Sequence, residues 1–128
     1  MTHLDTCVLI DALTGPRRSA PALRALIERG ERIGLSTIVL YEWRRGPRNP
    51  GDLRAQEALF PGEDAAAFGQ AEAILAADLY RRVRRPRGRE LDLAIAACAI
   101  THDVAFWTLN PGDFADIPGL ELVDLSRG

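Results

Sequence analysis

The stretch ELDLAIAACAITHDVAFWT, residues 90–108, predicts a helix that is followed at once by a strand. Apolar residues recur at helical spacing over residues 90–101, and a compact apolar run follows at residues 104–108. The residues on the apolar face of this helix are Leu91, Ile95, Cys98 and Ala99. A helix that leads into a buried strand is the repeating unit of a parallel α/β sheet.

The same alternation continues on both sides of this stretch. Strands are predicted at residues 2–5, 33–36 and 120–125, helices at residues 8–13, 20–29, 37–45, 52–60 and 64–85, and a turn or short helix at residues 111–116. Asp52 and Asp64 are the predicted caps of the fourth and fifth helices. This order predicts a three-layer α/β/α sandwich with a mainly parallel central sheet, formed by all 128 residues as one domain.

Charge and composition limit the functions that the chain can have. The net charge of −2 gives no global attraction to nucleic acid, so a nucleic-acid partner must be held by a local basic patch. All 16 basic residues are arginine, which excludes P-loop, Schiff-base and receiver-domain sites that require lysine.

The environment of the protein is predicted from its thiols and its apolar runs. Cys7 and Cys98 are interpreted as reduced, buried thiols, because two cysteines do not build a disulfide framework. No apolar run reaches the ~18 residues of a membrane span, and no charged-then-apolar signal opens the chain. We therefore expect a cytoplasmic protein. The aromatic residues expected in its core are Trp43, Phe106 and Trp107.

Four acidic residues, far apart in the sequence, are predicted to meet at one edge of the sheet. Asp5 ends the first strand, and Asp113 follows the strand that ends at residue 108. Glu42 and Asp92 lie on predicted helices that can face the same edge, where parallel sheets bind their ligands. Gathered carboxylates repel one another, so a fold that collects them usually holds a cation.

Each of these acids stands in a short motif. The motifs are Asp5-Thr6, residues 36–42 (STIVLYE), residues 92–97 (DLAIAA) and residues 108–114 (TLNPGDF). In this order and at this chain length, the four motifs resemble those of the PIN-domain ribonucleases, and most closely the VapC-type toxins of VapBC toxin–antitoxin pairs. The resemblance covers essentially the whole chain, although the first strand is shorter than is usual in that family.

The resemblance implies that the protein cleaves RNA with Mg²⁺ or Mn²⁺ as its cofactor. Such hard cations take oxygen ligands, which carboxylates supply. Asp5 and Asp92 are the first candidates for metal contact, and Asp113 is the third. Glu42 is expected to orient the attacking water or to bind a second ion. The candidates for orienting these carboxylates are Thr6, Ser36, Thr108 and Asn110.

The resemblance also implies partners. These are tRNA or rRNA as the substrate, a VapB-type antitoxin that blocks the site, and a second copy of the chain in a homodimer, with no membrane. A dense basic segment at residues 81–89, with six arginines in nine residues, favours contact with RNA phosphates or with acidic residues of the antitoxin. Its candidate contact residues are Arg81, Arg82, Arg84 and Arg85. The alternative is a solvated helix end, where cations suit the negative end of the dipole.

Other readings of the sequence stay open at this point. A non-catalytic PIN-like domain that only binds RNA or protein would have the same fold. A haloacid-dehalogenase-like site is disfavoured, because it requires a second Asp where this chain has Cys7. Asp116 competes with Asp113 for the fourth acidic position, and Glu90 is interpreted as an acid that favours the start of its helix.

Overall fold

The computed structural model of the protein describes residues 1–123 and residue 125. In that part of the chain, three strands are separated by six α-helices, two between β1 and β2 and four between β2 and β3. The elements are β1 (Thr2–Leu4), α1 (Thr6–Leu13), α2 (Ala20–Glu28), β2 (Ile33–Gly34), α3 (Thr37–Arg45), α4 (Pro50–Leu59), α5 (Gln70–Arg82), α6 (Glu90–Thr101) and β3 (Ala105–Trp107). Short 3-10 helices lie at Gly62–Asp64 and Pro111–Asp113.

The strands form a parallel sheet in the order β2-β1-β3, which confirms the predicted fold class. Thr2 of β1 pairs with Ile33 on one side and with Ala105 on the other, so β1 is the central strand. Isolated parallel bridges extend the two edges at the pairs Ser36–Ala66 and Phe106–Leu122. After β1, the chain continues to β2 on one side of the sheet. After β3, it continues to the bridge at Leu122 on the other side. The gap between the ends of β1 and β3 is therefore a switch point, where ligands of such sheets bind.

Helices cover both faces of the sheet. All three residues of β1 are buried, although successive side chains of a strand point to opposite faces. Helix α1 packs against α2 and α4, whereas α5 packs against α6 and α6 packs on β3. The predicted aromatic core is confirmed, because Trp43, Phe106 and Trp107 are all buried.

Helix α6 is buried on all sides rather than on one face. Residues 93–99 are buried without interruption, whereas the spacing of the larger apolar residues predicts a single buried face. Four of these seven residues are alanines, whose small side chains let neighbouring elements approach closely. A helix that is apolar all round belongs in the interior of a domain, and here it supports the acid at its first turn.

Helix α4 begins two residues earlier than predicted. The Asn49 side chain accepts a hydrogen bond from the Asp52 amide at 2.8 Å, and the Asp52 carboxylate accepts one from the Asn49 amide at 3.1 Å. Asp52 therefore completes a capping box as its third helical residue, and the prediction that it precedes the helix is wrong. Pro50 fits the first position, where no amide hydrogen is needed.

Helix α5 begins at Gln70, so the prediction that it follows Asp64 is wrong. The segment between them is extended because the Ala66 amide donates to the Leu35 carbonyl at 2.9 Å. This contact adds a bridge at the edge of the sheet instead of a turn of helix. The helix ends at Arg82, three residues before the predicted end, since the next residue is already extended.

The predicted last strand is reduced to one bridge in the described chain. Phe106 donates to the Glu121 carbonyl and accepts from the Val123 amide, both at 2.8 Å. Leu122 lies between those two contacts and forms the bridge. Part of the predicted strand, at Asp124, lies outside the described residues.

Neither cysteine forms a disulfide. Cys98 is buried as predicted, whereas Cys7 is only half-buried. Within residues 1–123 and 125, no helix has both the length and the apolar character needed to cross a membrane.

Candidate active site

Asp5 joins the end of β1 to the start of α1. Its amide donates to the Trp107 carbonyl at 2.8 Å, which continues the contact between β1 and β3 beyond the strand. Its Oδ1 atom accepts from the Thr6 amide at 2.8 Å and so caps α1. Asp5 is only 7% exposed. A nearly buried carboxylate thus lies at the switch point of the sheet.

The second oxygen of Asp5 is held from the end of β3. The Thr108 hydroxyl donates to Oδ2 at 2.7 Å, and the Asn110 amide donates to that hydroxyl at 3.1 Å. Cys7 Sγ also donates to Oδ2, at 3.3 Å, and accepts from the Leu109 amide at 3.4 Å. Burial, followed by the charge of Asp5, raises the pKa of the Cys7 thiol to about 11, so it remains a protonated donor.

Glu42 is carried by α3, which begins at a capped position. The Ser36 hydroxyl accepts from the Val39 amide at 3.2 Å, so Ser36 supports Glu42 through the helix start rather than by direct contact. The Thr6 hydroxyl donates to Glu42 Oε1 at 2.7 Å. Arg45 donates to Glu42 Oε2 at 3.4 Å from the next turn. Thr6, at the start of α1, therefore contacts two acids. Its amide donates to Asp5, which caps the helix, and its hydroxyl donates to Glu42.

Asp92 lies in the first turn of α6 and is half-buried. Its pKa is raised to about 6, first by burial and then by three neighbouring carboxylates. Those carboxylates belong to Asp5, Glu42 and Asp113. The Arg89 guanidinium acts in the opposite direction. The structure thus brings the four predicted acids into one electrostatic environment.

Asp113 reaches this environment from the short helix after β3. It is exposed, and its amide donates to the Asn110 carbonyl at 3.0 Å. The competing candidate, Asp116, is engaged elsewhere, because Arg89 donates to its two carboxylate oxygens at 2.7 and 3.0 Å. Asp113 is also the one whose charge raises the pKa of Asp92. The geometry therefore favours Asp113 as the fourth acid.

Residues 3–120 match the sequence profile of the PIN domain. The chain belongs to the PIN domain family. It is 34% identical over 123 residues to Ribonuclease VapC19 of Mycobacterium tuberculosis, a match that covers 94% of this chain and 98% of the relative. The family resemblance read from the four motifs is thereby confirmed.

Solved structures share the fold of this PIN domain. A toxin-antitoxin complex from Klebsiella pneumoniae contains a chain with a TM-score of 0.70 and 27% identity, over 94% of this chain and 95% of that chain. VapBC2 from Rickettsia felis, bound to a DNA fragment from its promoter, gives a TM-score of 0.73 at 20% identity, over 95% and 96%. FitAcB from Neisseria gonorrhoeae gives 0.71 at 22% identity, over 96% and 97%. At these last two identities the likeness concerns the fold alone.

The predicted basic contacts lie at the end of α5 of this PIN domain and just beyond it. All four arginines are exposed, and they are Arg81, Arg82, Arg84 and Arg85. Arg82 pairs with Asp78 on the same helix at 3.6 Å. Arg84 and Arg85 line an open groove of about 790 Å³ that Asp113 also lines. Two of the four arginines thus adjoin the acidic site.

Sequence reasoning did not single out Arg89 or Cys7 as parts of this site. Arg89 lies in the basic segment, and only its position three residues before Asp92 distinguishes it in the sequence from the other arginines there. Cys7 follows the first motif directly, but its thiol contact with Asp5 depends on the turn into α1. Glu90 accepts from the Gly88 amide at 3.2 Å, in keeping with its interpretation as a residue of the helix start.

The donor set of this PIN domain suits a hard divalent cation. The neighbouring carboxylates that raise the pKa of Asp92 also attract a cation, which would relieve their repulsion. Oδ1 of Asp5 accepts a hydrogen bond from the Thr6 amide, and an ordinary carboxylate oxygen has a second lone pair that a cation can use. Among residues 1–123 and 125, no three or more His, Cys, Asp or Glu side chains are grouped so that together they could hold a metal ion. Mg²⁺ requires only one or two carboxylates with water in its other positions, so an open arrangement fits it.

Proposed function

We propose that this PIN domain is a metal-dependent endoribonuclease and the toxin of a toxin–antitoxin pair. The observation that supports the proposal is the convergence of acids at the switch point of the sheet, where the Thr6 amide and hydroxyl donate to Asp5 and to Glu42. The charges of these two acids and of Asp113 act on Asp92 and raise its pKa. The identity of 34% with a protein named Ribonuclease VapC19 supports RNA as the substrate.

The proposed cofactor is Mg²⁺ or Mn²⁺. Asp5, Asp92 and Asp113 would hold the ion, and Glu42 would orient the attacking water or hold a second ion. A bound ion of this kind lowers the pKa of water and neutralises charge on a phosphate.

The protein's own hydroxyls fix the acids for this chemistry. Thr108 keeps Asp5 turned towards the end of β3 by its hydrogen bond of 2.7 Å. Thr6 fixes Glu42 at the same distance. Asn110 bonds to the Thr108 hydroxyl through its backbone amide and leaves its side chain exposed. We assign Thr6 and Thr108 to positioning the carboxylates, because their hydroxyls donate directly to carboxylate oxygens.

We assign Arg84 and Arg85 to the RNA backbone next to the cleaved phosphate. They line the same groove as Asp113, so a strand that enters the acidic site passes them. Arg81 and Arg82 lie in the last turn of α5 and would extend the basic track. The proposed substrate is a tRNA or rRNA, recognised in the cytoplasm through unpaired nucleotides that can reach an open groove.

The proposed partners follow from the relatives rather than from contacts of this chain. A VapB-type antitoxin would block the site, and a second copy of the chain would form a homodimer. Mass measurement of the purified chain, alone and with the product of an adjacent small gene, tests both assemblies.

The activity is tested with purified, antitoxin-free protein on total tRNA and rRNA. Cleavage is compared in Mg²⁺, in Mn²⁺ and in EDTA, beside the variants Asp92→Asn and Asp103→Asn. Asp103 is the matched control, because it is exposed at the end of α6 and its positive φ of 53° suits asparagine. We expect discrete cuts that require metal, disappear in Asp92→Asn and persist in Asp103→Asn.

Cuts that survive EDTA or Asp92→Asn would contradict the proposal. The alternative is a PIN-like domain that binds RNA or protein without cleaving it. Metal and RNA binding without any cleavage, across the tRNA and rRNA pools, would favour that alternative.

A further inference from the structure

Arg89 connects the start of α6 to the loop that carries Asp113. Its Nη2 atom donates to the Asp113 carbonyl at 2.8 Å and to Asp116 Oδ1 at 2.7 Å. Its Nη1 atom donates to Asp116 Oδ2 at 3.0 Å and to the Arg84 carbonyl at 3.2 Å. One guanidinium therefore bridges three separate points of the chain.

The base of this bridge is rigid. The Arg89 carbonyl accepts the Leu93 amide at 2.9 Å, which is the first hydrogen bond of α6. The Arg89 amide donates to the Pro86 carbonyl at 2.9 Å. The Arg89 side chain is only 20% exposed, although it lies at the surface. Asp92, three residues further on, belongs to the same first turn of α6.

The far end of the bridge lies in a segment whose backbone hydrogen bonds are local. The amides of residues 113, 114 and 117 donate to the carbonyls of residues 110, 111 and 114, at 3.0 to 3.1 Å. Phe114 anchors the segment in the core by packing on Phe106 at 4.9 Å between ring centroids. Ile117 is buried as well, whereas the Asp113 side chain is exposed. The Arg89 guanidinium joins the backbone at Asp113 to the start of α6.

We propose that Arg89 is a positioning residue, which together with Asp116 clamps the segment 110–117 to the start of α6 and so sets the separation between Asp113 and Asp92. This inference rests on the proposed function, because it gives that separation a role in binding a divalent cation. Planar, bidentate contact with Asp116 leaves the remaining donors of Arg89 directed at backbone carbonyls, which a lysine cannot reproduce.

Whether the variants bind a cation more tightly or more weakly distinguishes a positioning role of Arg89 from a purely electrostatic one. Removing the positive charge of Arg89 would by charge alone tighten the binding of a cation, because Arg89 lies near the carboxylates. Removing the negative charge of Asp116 would by charge alone weaken it. A clamp predicts instead that both changes weaken binding, since either one releases the same segment.

The test measures Mn²⁺ affinity by titration calorimetry and amide hydrogen exchange of the metal-free protein, with no RNA present. The variants are Arg89→Gln, Asp116→Asn, the double variant and Arg89→Lys. Asp78→Asn is the matched control, because it breaks an arginine–carboxylate pair on α5 that does not contact the segment.

We expect Mn²⁺ affinity to fall about tenfold in each single variant, the size typical of partners that orient metal ligands. The double variant should fall no further, because both changes break one unit. Amides of residues 113, 114 and 117 should exchange faster in these variants but not in Asp78→Asn. Arg89→Lys should restore only part of the affinity.

Tighter or unchanged Mn²⁺ binding in Arg89→Gln would overturn the clamp, as would unchanged exchange in the segment. If the wild-type protein binds no Mn²⁺, the proposed function fails, whereas the exchange data still decide whether Arg89 holds the segment. The two failures are therefore distinguishable.

Discussion

The Thr108 hydroxyl donates a hydrogen bond of 2.7 Å to Asp5 Oδ2 across 103 residues of sequence. This contact joins the ends of β1 and β3 at the switch point of the sheet, where the carboxylate of Asp5 is almost buried. A hydrogen bond to an ionised acceptor is stronger than one between neutral groups, so the pair fixes the acid.

Thr108→Val should reduce cleavage by roughly tenfold or more, because Asp5 loses the hydroxyl that orients it. Valine has nearly the shape of threonine, so the packing should change little. The free energy of unfolding should also fall, by about 1–3 kcal/mol, since the nearly buried Oδ2 atom loses its hydroxyl donor and keeps only the weaker thiol donor of Cys7. Single-turnover cleavage and urea unfolding measure the two effects. Thr108→Ser retains the hydroxyl and should keep most of both; equal losses in the two variants would contradict the argument.

Asp92→Asn should stabilise the metal-free protein while it abolishes cleavage. The pKa of Asp92 rises from 3.8 to about 6 on folding, so the folded state holds its proton more tightly. Its contribution to stability is therefore fully present below pH 3.8 and is lost as the pH rises towards 6. We expect a gain of about 1 kcal/mol at pH 7, a figure discounted for solvent screening of a half-exposed group.

Urea unfolding in EDTA at pH 7 and at pH 3.5 measures this gain. It should be present at the higher pH and absent at the lower one. The control Asp103→Asn should show no such difference, because Asp103 is exposed on a turn. A loss of stability in Asp92→Asn at pH 7 would contradict the cost of burying the Asp92 charge beside three other acids.

His3 should make the protein less stable as the pH falls. Burial, followed by the charges of His102 and the amino terminus, lowers the pKa of His3 from 6.5 to about 4. The unfolded chain therefore binds the proton more readily, so stability is lost between pH 6.5 and pH 4. The expected loss is about 2–3 kcal/mol.

Unfolding measured across this range should have a smaller pH slope in His3→Leu. His102→Asn, at an exposed position, should keep most of the slope, because burial is the main cause of the shift. Asp92 opposes His3 between pH 4 and pH 6, so the slope is best compared in an Asp92→Asn background. A slope that is unchanged in His3→Leu would contradict the assignment.

Arg84→Ala combined with Arg85→Ala should weaken RNA binding and make it less dependent on salt. Each lost phosphate contact on a single strand should reduce the slope of log K against log salt by about 0.7. Fluorescence anisotropy with a labelled RNA in EDTA measures this slope without cleavage. The matched control, Arg18→Ala with Arg54→Ala, removes two exposed arginines outside the basic segment and should leave the slope unchanged.

Local pattern was enough to predict the elements that carry Glu42 and Asp92. Helices α3 and α6 have the predicted bounds, residues 37–45 and 90–101. Periodicity and caps are local properties, so they can be read from a short window. The start of α4 was missed because Asn49 and Asp52 are both suitable caps, and Asn49 is the one that precedes the helix. The start of α5 was missed because the segment after Asp64 is held extended by a contact outside the helix. For α5 that contact is the bridge between Ala66 and Ser36.

The sequence by itself determined the fold class and the PIN family, and it predicted Asp5, Glu42 and Asp92 as site residues. Motif order and chain length are properties of the sequence, so these inferences need no coordinates. Only the tertiary structure decided between Asp113 and Asp116, since that choice depends on where the Arg89 side chain reaches. The structure also shows that the Ser36 hydroxyl accepts from the Val39 amide and caps α3, whereas the sequence suggested that it orients a carboxylate. Hydrogen bonds and charge effects act over a few ångströms, so residues far apart in sequence acquire such roles only when the sheet brings them together.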